Sequence, residues 1–144
     1  MKACGVYFRG QDIYVSSSSR TMNGLWIDSE PRMKLEGAND SPQTLGVAVL
    51  QALAASQRGV PDPEDLRSVG KEFLTFVGFK SLASFEKQAS FFQLTLDDKE
   101  SEITVEPTTH GSRGGFEFIG QEIKCGVAPQ EIGATLLKLS GDGS

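Results

Sequence analysis

Two runs at the start of the chain, Lys2 to Phe8 and Asp12 to Ser18, alternate between apolar and polar residues, with only Arg9-Gly10-Gln11 between them. Alternation with a period of two puts Val6 and Phe8 on one side of the first run and Ile13 and Val15 on one side of the second. That pattern predicts a half-buried β-hairpin. A hairpin with one apolar face needs a cover, so the residues that follow must supply helices or a second sheet. Ser16-Ser17-Ser18-Ser19 reads as an edge strand or turn with its hydroxyls in solvent. Pro31 to Leu35 reads as a further short strand, approached through a turn at Asp28-Ser29-Glu30.

The cover is announced at Ser41-Pro42-Gln43-Thr44. A serine hydroxyl at an N-cap accepts a backbone N–H, and proline at the first helical position lacks only a donor that would be orphaned anyway. Leu45, Ala48, Val49, Ala52 and Leu53 then recur at helical spacing, and Val47, Leu50 and Ala54 widen the apolar face. Downstream, Asp62-Pro63-Glu64-Asp65-Leu66 repeats the capping pattern and predicts a short helix inside a long connection. Lys71 to Val77 reads as a strand from its Phe, Leu, Thr and Val content. Lys80 to Ala89 reads as a short helix with Leu82, Phe85 and Ala89 on one face.

Four further runs, Phe91–Leu96, Glu102–Glu106, Phe116–Ile119 and Ile123–Val127, read as strands of a meander. Turns at 97–100, 108–115 and 120–121 would join them. A last helix opens at Ala128-Pro129, with Ile132, Leu136 and Leu139 on one face and a stop at Gly141. Adjacent antiparallel strands with helices inserted between them predict an α+β fold, a central twisted antiparallel β-sheet with flanking α-helices. Its 144 residues predict one domain over 1–139 and a flexible tail over 140–144. A chain near this length buries roughly 68–70% of its unfolded surface, enough for a core without disulfides.

No apolar run approaches the roughly 18 residues of a membrane span, and the amino terminus lacks the apolar stretch and cleavage site of a secretory signal. The expected location is the cytoplasm. Cys4 and Cys125 read as reduced strand residues, with a single bridge between the first and last strands as the alternative.

Catalysis has little to work with, since His110 is the only histidine. No cysteine or histidine pair has metal-ligand spacing, so neither a metal nor another cofactor is expected. Gly111-Ser112-Arg113-Gly114-Gly115 lacks phosphate-loop spacing and leads into no helix, and it reads as a flexible connection whose His110 and Arg113 are placed to touch a partner. Trp26 reads as a core or edge cover.

The net charge of −5 is local. Asp97, Asp98, Glu100, Glu102, Glu106, Glu117 and Glu122 stand against only Lys99 and Arg113, while the rest of the chain holds twelve acids and twelve bases. Such a block is ordinarily a solvated set of strand faces and turns. Its sharper reading is a landing site for a basic protein. Direct binding of nucleic acid is disfavoured, because phosphate affinity rests on clustered Lys and Arg.

Several segments, in order, give the chain a likeness. They are Leu45-Gly46-Val47-Ala48-Val49-Leu50-Gln51-Ala52-Leu53, Gly78-Phe79-Lys80-Ser81, Ile103-Thr104-Val105-Glu106-Pro107-Thr108-Thr109-His110, Gly115-Phe116-Glu117-Phe118 and Glu131-Ile132-Gly133-Ala134-Thr135-Leu136-Leu137. With these the chain resembles the immunity proteins of contact-dependent growth inhibition systems across residues 41–139. The resemblance implies a stoichiometric inhibitor, not an enzyme, folded on a central antiparallel sheet and bound to a toxin nuclease, a DNase or tRNase. Such a nuclease has a basic active surface. The resemblance also implies strand addition at an open sheet edge. It transfers no binding residue, because these proteins diversify where they meet their toxins. The acidic segment supplies the candidates: Asp97, Asp98, Glu100, Glu102, Glu117 and Glu122, with His110 and Arg113 beside them. Two other readings remain open, an acid/base enzyme using His110 with a carboxylate such as Glu106 and a generic ligand-binding domain, and the oligomeric state is open too.

Overall fold

The structure is a computed structural model that describes residues 1–37 and 41–141. Strands β1 (Lys2–Arg9) and β2 (Asp12–Thr21) form the expected hairpin, in register from Ala3 opposite Ser18 to Arg9 opposite Asp12. The remaining elements are β3 (Trp26–Glu36), α1 (Pro42–Ala55), β4 (Arg58–Val60), α2 (Leu66–Val77), α3 (Leu82–Gln88), β5 (Ser90–Leu96), β6 (Ile103–His110), β7 (Phe116–Phe118), β8 (Ile123–Cys125) and α4 (Pro129–Gly141). The fold is α+β. Its open sheet runs β3-β2-β1-β5-β6-β7, antiparallel except for β4, which lies parallel to the end of β2.

Alternation along the strands feeds two cores. Cys4, Val6, Ile13, Val15, Phe92, Leu94, Ile103 and Val105 face α1 and α4, meeting Leu45, Val49, Leu53, Ile132 and Leu136. Tyr14 and, at its margin, Tyr7 face the opposite way, toward Phe73 and Val77 of α2 and Phe85 of α3. The sheet is therefore a central layer with a helix pair on each side.

Helix α1 starts as its sequence dictates, with the Ser41 hydroxyl accepting the Thr44 N–H at 3.2 Å and Pro42 next in line. Its five helically spaced apolar residues are buried, but Val47 and Ala54 are exposed, so the covered face is narrower than expected. The cause is the second helix on that face. Gly46 sits against Pro129 and Gly133 against Pro42, so α4 packs against the glycine side of α1 and leaves Val47 at the rim.

Several expectations fail for identifiable reasons. Ser16 to Ser19 do not form an edge: β2 lies between β1 and β3, and Ser16, Ser17 and Ser19 are buried. The Ser19 hydroxyl and Ser56 tie the sheet to the end of α1, while the Ser17 hydroxyl is buried without a partner among the described residues. Ser19 and Ser29 share a hydrogen bond at 2.9 Å, the Gln57 N–H donates to Ser19 Oγ at 3.2 Å, and Ser56 Oγ accepts the Ala3 N–H at 3.1 Å. Asp28-Ser29-Glu30 is not an approach turn but the first half of β3. Glu30 and Pro31 oppose no residue of β2, and this bulge admits a proline that has no ladder donor.

Residues Lys71–Val77 are helical, not extended. Val69, Phe73, Phe76 and Val77 recur at helical spacing, Asp65 and not Asp62 is the N-cap, and Gly78 ends the helix in the left-handed conformation at φ 77°. The meander also breaks after β6. Strands β7 and β8 both pair with β6, at Thr108–His110 and Ile103–Val105 respectively, leaving Glu106 and Pro107 between them. Pro107 has no N–H to continue the ladder. Helix α4 ends at Gly141, the expected stop, so Ser140 and Gly141 are helical, and the rest of the expected tail, Asp142-Gly143-Ser144, lies outside the described residues. No helix among the described residues is long and apolar enough to cross a membrane.

Candidate functional site

Strand β6 organises the candidate residues, and it separates them. At its start, the β5–β6 turn is built by Asp97, whose carboxylate accepts the Ser101 N–H at 2.8 Å, the Ser101 hydroxyl at 2.9 Å and the Glu102 N–H at 3.3 Å. These bonds, those from Ser101 foremost, hold the Asp97 carboxyl below the ordinary carboxylate range. Asp98 pairs with the Met1 ammonium and with Arg58 at 3.0 Å, and Glu100 pairs with Lys2 at 3.0 Å. Glu102 is exposed beside them. Glu122 precedes β8 and lies 3.8 Å from Lys124.

His110, Arg113 and Glu117 stand at the other end. Seven strand rises, about 23 Å, separate Ile103 from His110, so the eight candidates form two groups and not one continuous patch. The first group is also less acidic than its sequence, because bases from β1 and β4 fold onto it. Exposed pairs of this kind contribute about 0–1 kcal/mol each.

His110 is engaged in the fold. Its Nε2 lies 2.8 Å from the Glu86 carbonyl oxygen and 2.9 Å from that of Ala89, and its ring lies 5.6 Å from that of Phe116. It ties the end of β6 to the end of α3. Glu106, four rises away on the same strand, is roughly 13 Å from His110 along the backbone, and the carboxylate that His110 acts on is that of Glu86. The glycine loop turns inward: the Gly111 N–H donates to Gly115 O at 2.9 Å and the Gly114 N–H to Gly111 O at 3.2 Å. Those donors are not free for an anion. Among the described residues no group of three His, Cys, Asp or Glu side chains converges as a metal site.

A polar cluster that the sequence reading missed lies on β3. The Arg32 guanidinium, largely buried, sits 2.7 Å from Asp28, 3.4 Å from Glu72 of α2 and 3.8 Å from Glu30. Burial pushes the Asp28 carboxyl up, and the nearby Ser16 hydroxyl and Arg32 pull it partly back. The bulge at Glu30–Pro31 creates this contact, and residues 28 to 30 carried only a turn signal. Arg32, Glu30, Glu72 and Phe76 line an open groove of about 850 Å3 between β3 and α2.

The sheet has two edges. One is β3, which opens with Trp26, its ring covered by the Arg20 guanidinium at 5.8 Å. The other is the β7–β8 row, where Phe118 and Ile119 are half exposed.

No protein-family model matches the chain, and no curated protein sequence matches it. Solved structures do. A protein of unknown function from Neisseria meningitidis superposes with a TM-score of 0.78 at 22% identity, over 97% of this chain and 94% of that one. A chain of the CdiA-CT/CdiI toxin and immunity complex from Yersinia pseudotuberculosis superposes with a TM-score of 0.75 at 20% identity, over 96% and 95% of the two chains. At these identities the likeness establishes a shared fold.

Proposed function

We propose that this chain is an immunity protein that binds and neutralises a cognate contact-dependent growth inhibition toxin in the cytoplasm of the producing cell, without turnover. The observation that carries the reading is the end-to-end match of its fold to a chain of a toxin and immunity complex. The sequence segments over residues 41–139 point to the same family independently.

The toxin domain on this reading is a nuclease, a DNase or tRNase, whose phosphate-gripping surface is basic. Asp98, Glu100 and Glu102 at one end of β6, and Glu117 at the other, would meet its lysines and arginines and occlude its substrate groove. Asp97 shapes the turn that presents the first group. Glu122, His110 and Arg113 complete the proposed surface. The open β7–β8 edge, flanked by Phe118 and Ile119, suits strand addition as a second element. The engagement of His110 with the end of α3 supports a packing role over a catalytic one.

The test is co-expression with the toxin domain encoded immediately upstream. Protection of the host and a co-purifying complex are expected, and their joint absence overturns the reading.

A further inference from the structure

We propose that a small cavity between the sheet and helices α2 and α3 is a socket for one arginine side chain of the protein partner. The identity of that partner rests on the immunity reading, whereas the chemistry of the socket does not. The cavity holds about 190 Å3. Small-molecule sites run to about 300–1,000 Å3, so this one is sized for a single side chain and not for a metabolite.

Its walls are aromatic and its polar groups are acidic. Tyr7, Phe73 and Phe85 line it, with the Tyr7 ring centroid 5.0 Å from that of Phe73 and 5.6 Å from that of Phe85. Asp28 of β3 and Glu86 of α3 add two carboxylates. The charge that acts on the Glu86 carboxylate is that of His110. Asp28 gives one oxygen to Arg32 and has the Ser16 hydroxyl nearby, while its Oδ1 is buried with no donor at hydrogen-bond distance. No described residue gives the Tyr7 phenol a hydrogen bond. Burial foremost, and then the charges of Asp28 and Glu86, push that phenol well above its usual pKa. The cavity thus needs donors for two carboxylates, one of them with an unpaired buried oxygen, and offers aromatic faces beside them.

A guanidinium meets each of these needs. It supplies five N–H donors and no acceptor. It is weakly hydrated and stacks on aromatic faces, whereas an ammonium is compact and strongly hydrated. The described residues offer no third carboxylate, cysteine or histidine for a metal ion. The helix wall also favours an occupant. Gly70, inside α2, carries no side chain to fill the space, and a Cβ there would meet only Leu82 Cδ1, at 3.5 Å. Glycine is unfavourable inside a helix, and leaving the socket empty explains its presence.

The test uses the whole chain and no toxin. N-acetyl-arginine methylamide, its lysine counterpart and its neutral isostere N-acetyl-citrulline methylamide are titrated while the amide resonances of Val69, Gly70, Leu82 and Glu86 are followed. The arginine derivative should give saturable shifts, the lysine derivative weaker binding and the citrulline derivative none. Glu86→Gln should weaken arginine binding about tenfold, and Gly70→Leu, which retains every charge and improves helix propensity, should abolish it. Equal response to arginine and citrulline, no saturable response, or unchanged affinity in both variants overturns the socket and leaves the immunity reading standing. A chain that binds the arginine derivative but fails to protect against the toxin overturns the immunity reading alone.

Discussion

Gly46 of α1 lies so close to Pro129 of α4 that a Cβ on the glycine would sit 1.9 Å from the proline carbonyl oxygen, and Gly133 meets Pro42 in the same way at 1.7 Å. Each helix places a glycine under the other's opening proline. Neither glycine can gain a methyl group unless the helices separate, and α1 and α4 together cover one face of the sheet. Gly46→Ala and Gly133→Ala should each destabilise the protein by about 2–3 kcal/mol, measured by urea denaturation. Gly70→Ala is the control. Its Cβ has ordinary contact distance, so helix propensity should stabilise it by up to about 1 kcal/mol. If all three variants behave alike, the close approach is not what holds these helices.

The second core hangs on Phe85, which is fully buried and meets the rings of Tyr7, Tyr14, Phe73 and Phe79 at 5.2–5.6 Å. Helix α3 has only seven residues and cannot persist without that anchor. Phe85→Ala should cost about 3–5 kcal/mol and raise amide exchange across α3 before that of α1. Uniform exchange in the variant would show that α3 is held by other contacts.

Acid should act on this protein with two opposing signs. The Asp97 carboxyl is held below its ordinary range by Ser101 and Glu102. The stability it contributes is therefore present above about pH 3.9 and lost as pH falls through its folded value. Asp28 and Glu86 are pushed up, chiefly by burial. Their contribution is present below their unfolded values, about pH 4, and lost as pH rises through their folded ones. Asp97→Asn should flatten the acid limb of the stability profile, whereas Asp28→Asn should remove part of the loss on its alkaline side. Denaturation followed across the acid range measures both slopes.

Asp98 and Glu102 are exposed and, unlike Asp97, do not form the turn. Reversing both to lysine should slow association with the toxin about tenfold and weaken its salt dependence, while leaving the melting temperature within a few degrees. Stopped-flow rates at two salt concentrations decide this, and unchanged rates remove this end of β6 from the interface.

The elements easiest to read carried local signals. The hairpin of β1 and β2 was legible from period two, and α1 from Ser41 and Pro42. Helix α2 was misread because Phe, Thr and Val at 73–77 suit strands by composition, although their spacing with Val69 is helical. The serine tract was misread because small hydroxyl residues look solvated in isolation, and only the placement of β2 inside the sheet buries them. The candidate site suffered most. The count of acids was correct, but a count along the chain does not show that Met1, Lys2 and Arg58 would fold onto Asp98 and Glu100. Nor does it show that β6 would hold the candidates apart. The Asp28–Arg32 contact depends on a bulge in β3, which leaves no mark in periodicity.

The two cysteines give the protein a built-in clock for its own opening. Burial pushes the Cys4 thiol far up, on a central strand, while Cys125 lies on the three-residue edge strand β8 with its thiol raised by burial and by Glu131. Neither is a ready thiolate in the folded chain. A thiol reagent should therefore label Cys125 when β8 frays and Cys4 only when the sheet itself comes apart. The interval between the two reactions measures how much of the protein can loosen while its centre remains closed.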